Sequence, residues 1–322
     1  MIIRSELAAL RGDDAPQRQA QAEVRAVLQA WQEQGQGQQL NDELARLDRG
    51  VGIADLPVLA DLFDPGCDAA AVLVGSLIDR FVRQLDAEPL TQTPLRYLID
   101  DAVASVVVGR QGGSLLILQA IDGVRLARRP RPVSVCFPPA ETWERVITGR
   151  GQALRARIAT HRPDRADLDL SEVTLTAGDV AHRLGMNETQ VIHSAAENLV
   201  VLRLQRRIAD GQVTREHRLN DGLLLHQSAG TARDSRLELT AALLGRMGRT
   251  DAVPLLVAMV EETGSQSVRW QALRECLGLD SAAGFAALSR VAQSTGDPLA
   301  RPAGALRAQL LETYPQLAGV IE

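Results

Sequence analysis

The sequence predicts an α+β multidomain chain, with an N-terminal helical segment, a central antiparallel β-barrel and a C-terminal α-solenoid. Three observations carry this. Apolar residues recur at helical spacing up to about residue 100, short alternating runs between turn residues continue to 232, and a 30-residue repeat fills the remainder. The corresponding domains are 1–100, 101–232 and 233–322.

The first helical signal is AQAEVRAVLQAW, where Val24, Val27, Leu28 and Trp31 form one apolar stripe. QGQGQQ follows and reads as a flexible break. DLPVLADLF repeats the period with Leu56, Leu59, Leu62 and Phe63, and AAAVLVGSLIDRFVRQL reads as a well-buried helix after the turn DPGCD. Pro57 near the start of one helix and Asp68 ahead of the next are N-terminal signals.

In the central region SVVVGRQGGSLLILQAI reads as two strands around a hairpin turn, RQGG. The glycines of GRQGG precede no helix, so a hairpin is expected and not a phosphate cradle. VSVCF, ERVITGRGQALRARIA, LSEVTLTAGDV, TQVIH, LVVLRLQRR and TREHRL follow at short intervals. In QALRARI, Leu154, Ala156 and Ile158 face one way and Arg155 and Arg157 the other. Many short strands at such spacing predict a sandwich or barrel. The basic run RLARRPRP at 125–132 is expected to be a solvated loop.

Beyond residue 232, ALLGRMGRTDAVPLLVAMVEE (242–262) aligns with ALRECLGLDSAAGFAALSRVA (272–292) at an offset of 30. A looser third copy starts near Ala305 and Leu306. Paired short helices at this period form a solenoid, because each pair must stack on a neighbour to bury its apolar face. The pattern resembles HEAT repeats, with Asp251 and Asp280 opening the second helices. The resemblance implies a protein partner bound along the stacked helices.

Bulk properties narrow the function. The chain has 322 residues, a formal net charge of -5 and 3% aromatics. No basic excess is present to neutralise phosphates and few rings to stack bases, so no nucleic-acid partner is expected. Cys67, Cys136 and Cys276 are too sparse for a disulfide framework and are expected to be small buried hydrophobes in a reducing compartment. MIIRSELAALRGDD lacks the apolar stretch of a signal peptide, and no run is long enough to span a bilayer. A cytoplasmic protein with no membrane association is expected.

Three stretches of the β region carry a second resemblance. ERVITGRGQAL (144–154) has a strand–turn–strand closed by glycine, LTAGDV (175–180) opens on a Gly-Asp turn, and IHSAAENLVVLRLQR (192–206) has a histidine, an asparagine and an outgoing strand. Over roughly residues 100–215 the chain resembles the cupin superfamily, in its cysteine-dioxygenase-like branch. That resemblance implies a barrel holding one iron on three histidines, with His193 at the third ligand position. The other two should form an HxH pair just before ERVITG, where this chain has VCFPPAETWERV with no histidine. Cys136, Glu141 and Glu144 are the side chains there with any ligating capacity. Arg203 and Gln205 stand where the branch has a His and a Tyr, and Arg110 lies in the vicinity of the branch's substrate-binding arginine. The iron site is thus degenerate, with His193 as its metal-ligating residue and Cys136, Glu141, Arg203 and Gln205 as barrel-lining residues.

The remaining candidates are expected to be structural. His182 sits before a turn and should be exposed. His217 and His226 flank RLNDGLLL with no third member to form a catalytic set. Glu141 and Glu144 are three residues apart and read as surface carboxylates. The expected function is a non-catalytic binding or scaffold protein, with no catalytic residue and no cofactor. The alternatives are a metal-dependent dioxygenase-like enzyme, holding iron or another divalent metal around His193, and a sensor with a small-molecule ligand in the barrel. A homodimer is a further expectation.

Overall fold

The computed structural model describes residues 12–87, 91–162, 164–208, 213–229 and 231–320. The chain divides into two compact units. The first comprises the described residues of Met1–Val135, Ala140–Ile208 and Leu219–Gly222, and the second those of Cys136–Pro139, Ala209–Arg218 and Leu223–Glu322.

The first unit begins with helices α1 (Ala15–Glu33), α2 (Gly35–Asp48), α3 (Pro57–Leu62) and α4 (Ala69–Ala87). The expected break at QGQGQQ is a single turn at Gln34, and α2 starts immediately after it. Glycine in a helix costs about 1 kcal/mol each, whereas Leu40, Leu44 and Leu47 of α2 are all fully buried. Burial of such side chains contributes roughly 2 kcal/mol apiece, so packing overrides the poor propensity of the segment. Pro57 occupies the first turn of α3. The buried carboxylate of Glu43 accepts from the Val58 and Leu59 N–H groups at 3.2 and 2.9 Å, satisfying donors that a helix start leaves free.

The strands are β1 (Tyr97–Ile99), β2 (Val103–Gln111), β3 (Ser114–Asp122), β4 (Ser134–Phe137), β5 (Ala140–Thr148), β6 (Arg150–His161), β7 (Ala166–Thr176), β8 (Val180–Leu184), β9 (Glu188–Ala195), β10 (Asn198–Arg207), β11 (Val213–Arg218) and β12 (Leu224–Ala229), with a short helix α5 (Gly123–Leu126) after β3. The RQGG hairpin forms as expected, joining β2 and β3, and Asp48 at the end of α2 accepts from the Gly113 N–H at 2.7 Å. β1 lies within the segment expected to be helical.

Strand pairing yields three sheets, not the closed barrel expected: β1-β2-β3-β10-β5-β8, β7-β6-β9 and β12-β11-β4. Among the described residues no ladder joins β6 to the six-stranded sheet. The reason is local. After β5 the chain turns at Gly149 (φ +94°), and β6 takes both its partners, β7 and β9, from outside that sheet.

The middle strands of the six-stranded sheet are buried on both faces. One face packs under α1–α4 through Val108, Leu116, Trp143, Leu202 and Leu204. The other contributes Ile121, Val146, Leu199 and Val201 to a core shared with Ala153, Leu175 and Ala195 of the small sheet. Two arginines fasten the helical layer. Arg145 of β5 donates to the carbonyls of Leu62, Asp64 and Cys67, and Arg206 of β10 to those of Leu47 and Val51. Leu47 and Leu62 lie at helix C-termini, where carbonyls lack intrahelical partners and positive charge is favoured.

The second unit holds β11, β12, the Cys136–Phe137 end of β4, and helices α6 (Ala232–Arg246), α7 (Val253–Glu261), α8 (Gln266–Leu279), α9 (Ser281–Gln293) and α10 (Ala300–Thr313). α8 packs against α6, α7 and α9, and α9 against α10. They enclose one core around Leu256, Leu273, Cys276, Phe285 and Leu288. Asp280 caps α9, its carboxylate accepting from the Ala282 and Ala283 N–H groups at 3.0 Å. Asp251 instead pairs with Arg249 in the turn before α7. Among the described residues no helix is long and apolar enough to cross a membrane.

Gly149 and Gly178 share nearly the same left-handed backbone, φ +94° and +93°. A Cβ on Gly149 would stand 2.2 Å from the Asn198 carbonyl oxygen, whereas Gly178 has open space. G178A should cost about 1 kcal/mol from backbone strain alone. G149A should cost about 3 kcal/mol, because strain and overpacking add. Urea denaturation of the two variants checks the order.

Candidate functional site

A cavity of about 280 Å³ lies between the two facing sheets of the first unit. Its polar wall carries Glu144, Arg155, Thr174, Asp179 and Gln190, and Val146, Val173 and Ile192 are among its apolar lining. Strand alternation explains the selection. On β5, Thr142, Glu144 and Val146 point to the small sheet, while Glu141, Trp143 and Arg145 point to the helices. On β10, Val201 and Arg203 share the inner face, and Leu202, Leu204 and Arg206 the outer one.

Glu144 is buried and held from both sides. Arg203 donates through Nε at 2.6 Å to one carboxylate oxygen, and Arg183 of β8 donates to the other. Arg183 also reaches Gln190 of β9, at 3.5 Å. Burial by itself would raise the Glu144 carboxyl, but the charges of Arg203 and Arg183 and their hydrogen bonds outweigh it and hold it below the usual glutamate range. Arg155 stands on the opposite wall. Its Nε is out of water and makes no hydrogen bond among the described residues. The Glu188 carboxylate lies 3.4 Å from it as an ion pair, and also pairs with Arg157 at 3.0 Å.

His193 does not line this cavity. It sits at a bulge in β9, opposite the step between Gln152 and Ala153, and its Nε2 is 2.8 Å from the Glu172 carboxylate. Glu172 alternates with Val173 and Leu175, which face the core, so the pair lies on the far side of the small sheet. Glu141 is on the helix-covered face, bonded to His182 at 2.8 Å and to Arg206. His182 is exposed, as expected, and stacks on Trp143 with centroids 5.0 Å apart. Arg203 is the arginine that grips Glu144, and Gln205 on the same face opposes Thr142 and Leu115. Cys136 is exposed on β4, outside both cavity sheets, Cys67 is half-buried, and Cys276 alone of the three is fully buried. Among the described residues no three His, Cys, Asp or Glu side chains gather where they could hold a metal ion.

Elsewhere, His217 is buried edge-on against Phe137 and His226 is exposed. Arg110 is exposed. In the basic run, Arg125 pairs with Asp122 and Arg129 with Asp100. Sequence reasoning set Glu144 on a solvated surface and did not single out Arg183. The signal was present in ETWERVIT, which carries apolar residues on both alternating faces. A strand buried on both sides must pair any charge it carries.

No family model matches the chain, and no curated protein matches it. Its similarity to solved structures is slight. The capsular polysaccharide assembling protein CapF from Staphylococcus aureus is 11% identical with a TM-score of 0.27, over 37% of this chain and 32% of CapF. The CENP-C cupin domain of Drosophila melanogaster is 8% identical with a TM-score of 0.27, over 35% of this chain and 76% of that one. The 7S globulin of Momordica charantia is 13% identical with a TM-score of 0.25, over 38% of this chain and 35% of that one. The chain thus spans about a third of the CapF it matches. At scores this low the likenesses carry no functional weight.

Because the Glu144 carboxyl is held low in the folded state, its contribution is present above the unfolded value and is lost as pH falls through the folded one. Glu144→Gln should destabilise the first unit by about 3–5 kcal/mol at neutral pH, since it leaves two guanidinium groups facing each other. The gap to the native protein should narrow steadily below about pH 4. Urea denaturation across that range measures it, and a gap independent of pH would refute the assignment.

Proposed function

We propose that the chain is a non-catalytic binding or scaffold protein, built on a cupin-like frame of two facing sheets with a HEAT-like helical tail as its protein-interaction surface. The observation that carries this reading is the internal pairing of the cavity's charges. Glu144 is taken up by Arg183 and Arg203, while His193 is turned away from the cavity and engaged by Glu172. An acid, base or metal ligand must present a free polar atom to its substrate. Glu144 is bonded to both guanidinium groups, and the Asp179 carboxylate at the cavity wall accepts from the Thr176 N–H and hydroxyl at 2.7 and 2.8 Å. Turn glycines at 149 and 178, both with positive φ, support the cupin-like reading of the two motifs they close.

The small-molecule sensor is a second reading, and one atom favours it. Arg155 Nε is a buried donor without a hydrogen bond at the wall of a cavity large enough for a few heavy atoms. Glu188 stands 3.4 Å from it only as an ion pair shared with Arg157, so a small carboxylate in the cavity would supply the hydrogen bond, with the helical tail reporting occupancy.

Purified protein supplied with Fe(II), oxygen and a small thiol or amino acid should consume no more oxygen than free iron does. Stoichiometric iron together with catalytic uptake would overturn the non-catalytic reading. Native mass spectrometry of the same gently purified protein addresses the second reading. A retained organic mass supports it, and an empty protein removes it.

A further inference from the structure

β1 is an edge strand of the six-stranded sheet, and among the described residues nothing pairs with its outer side. All three of its residues are apolar and exposed: Tyr97 by 50%, Leu98 by 71% and Ile99 by 66%. Natural sheets ordinarily charge, cover or bend such an edge. Backbone parity identifies its free groups. The Arg96 carbonyl accepts from the Val107 N–H at 2.8 Å, and the Asp100 N–H donates to the Val103 carbonyl at 2.9 Å. Bonded pairs alternate along an antiparallel ladder, so Arg96, Leu98 and Asp100 turn their backbone groups to β2, while Tyr97 and Ile99 turn theirs outward.

We propose that this edge pairs with the same edge of a second copy of the chain, antiparallel, about a two-fold axis at Leu98. The register follows from the residues. Tyr97 faces Ile99 of the second copy and Ile99 faces its Tyr97. Each of these two pairs exchanges both of its outward backbone hydrogen bonds, and each sets an aromatic ring against a β-branched side chain. Leu98 meets Leu98 of the second copy at a position without backbone bonds, where side chains approach most closely. On the same face Arg96 meets Asp100 of the second copy, and the reciprocal pair lies across the axis. Both side chains are exposed; Asp100 Oδ1 already accepts from Arg129 at 2.7 Å and from the Ala102 and Val103 N–H groups, so Oδ2 is the oxygen that takes the second guanidinium.

The sequence selects this register over its neighbours. Moving the axis one residue, to Tyr97 or Ile99, keeps the backbone parity but sets Leu98 against Arg96 or Asp100. Moving it two residues sets Arg96 against Arg96 or Asp100 against Asp100. Only the axis at Leu98 places opposite charges together and apolar residues together. A surface that complements itself about a two-fold axis is what a closed homodimer requires. The pairing covers few residues, so the dimer forms and dissociates with concentration.

Sedimentation velocity over a concentration series tests this on the full chain. The native protein should pass from monomer to dimer. Ile99→Pro removes an N–H that points away from β2, so it should stay monomeric while keeping its far-ultraviolet dichroism. Arg96→Glu sets like charges together and should weaken the dimer about tenfold. A second readout does not depend on those variants. In a C67S/C136S background, L98C should cross-link to a disulfide dimer under mild oxidation, because the axis brings its two Cβ atoms to about 5 Å. Y97C should not cross-link to itself. A native protein that remains monomeric throughout, or a dimer that survives Ile99→Pro with no L98C cross-link, would overturn the proposal.

Discussion

A buried carboxylate clasped by two guanidinium groups is the constraint on which the first unit depends. Glu144 sits on β5, Arg203 on β10 and Arg183 on β8, so a single side chain ties together three adjacent strands at the edge of the six-stranded sheet. Arg183 extends the tie to Gln190 on the facing sheet. A lone charge could not remain in that position, because its loss of solvation would exceed anything packing returns. The three groups therefore stand together or not at all, and the cavity is shaped around them.

The next residue on the strand does the opposite job. Arg145 points to the other face and delivers its charge to the carbonyls at the end of α3 and the turn beyond it. β10 repeats the arrangement, with Arg203 inward and Arg206 outward. These two adjacent strands thus carry charge on both of their buried faces, and every one of these arginines has a partner. This arrangement joins helices, large sheet and small sheet into one packed unit while leaving the cavity's own carboxylate engaged.

Much of this architecture was legible in the sequence. α1 and α3 were marked by apolar spacing, the β2–β3 hairpin by its glycines, and the start of α9 by Asp280. Two features were hidden for physical reasons. α2 begins with two glycines that argue against a helix, and the burial of Leu40, Leu44 and Leu47 offsets them, which a local reading does not see. β1 has three residues, too few for alternation to show. The site was harder still. His193 attracted notice because of its residue type and motif position, yet it alternates with Gln190 and Ile192, which line the cavity, and so faces away from it. One residue of register decides which side of a sheet a side chain serves. Arg183 and Glu144 were ordinary charges in sequence and acquire meaning through the burial of their strands.

The account stands or falls on the engagement of Glu144 by its two arginines. A double-mutant cycle between Glu144→Gln and Arg203→Gln, followed by urea denaturation, measures it most directly. The account predicts a coupling energy of at least about 1.5 kcal/mol, as for close, desolvated charge pairs. Additive effects, with coupling near zero, would contradict it and would mean that Glu144 is free for some other partner.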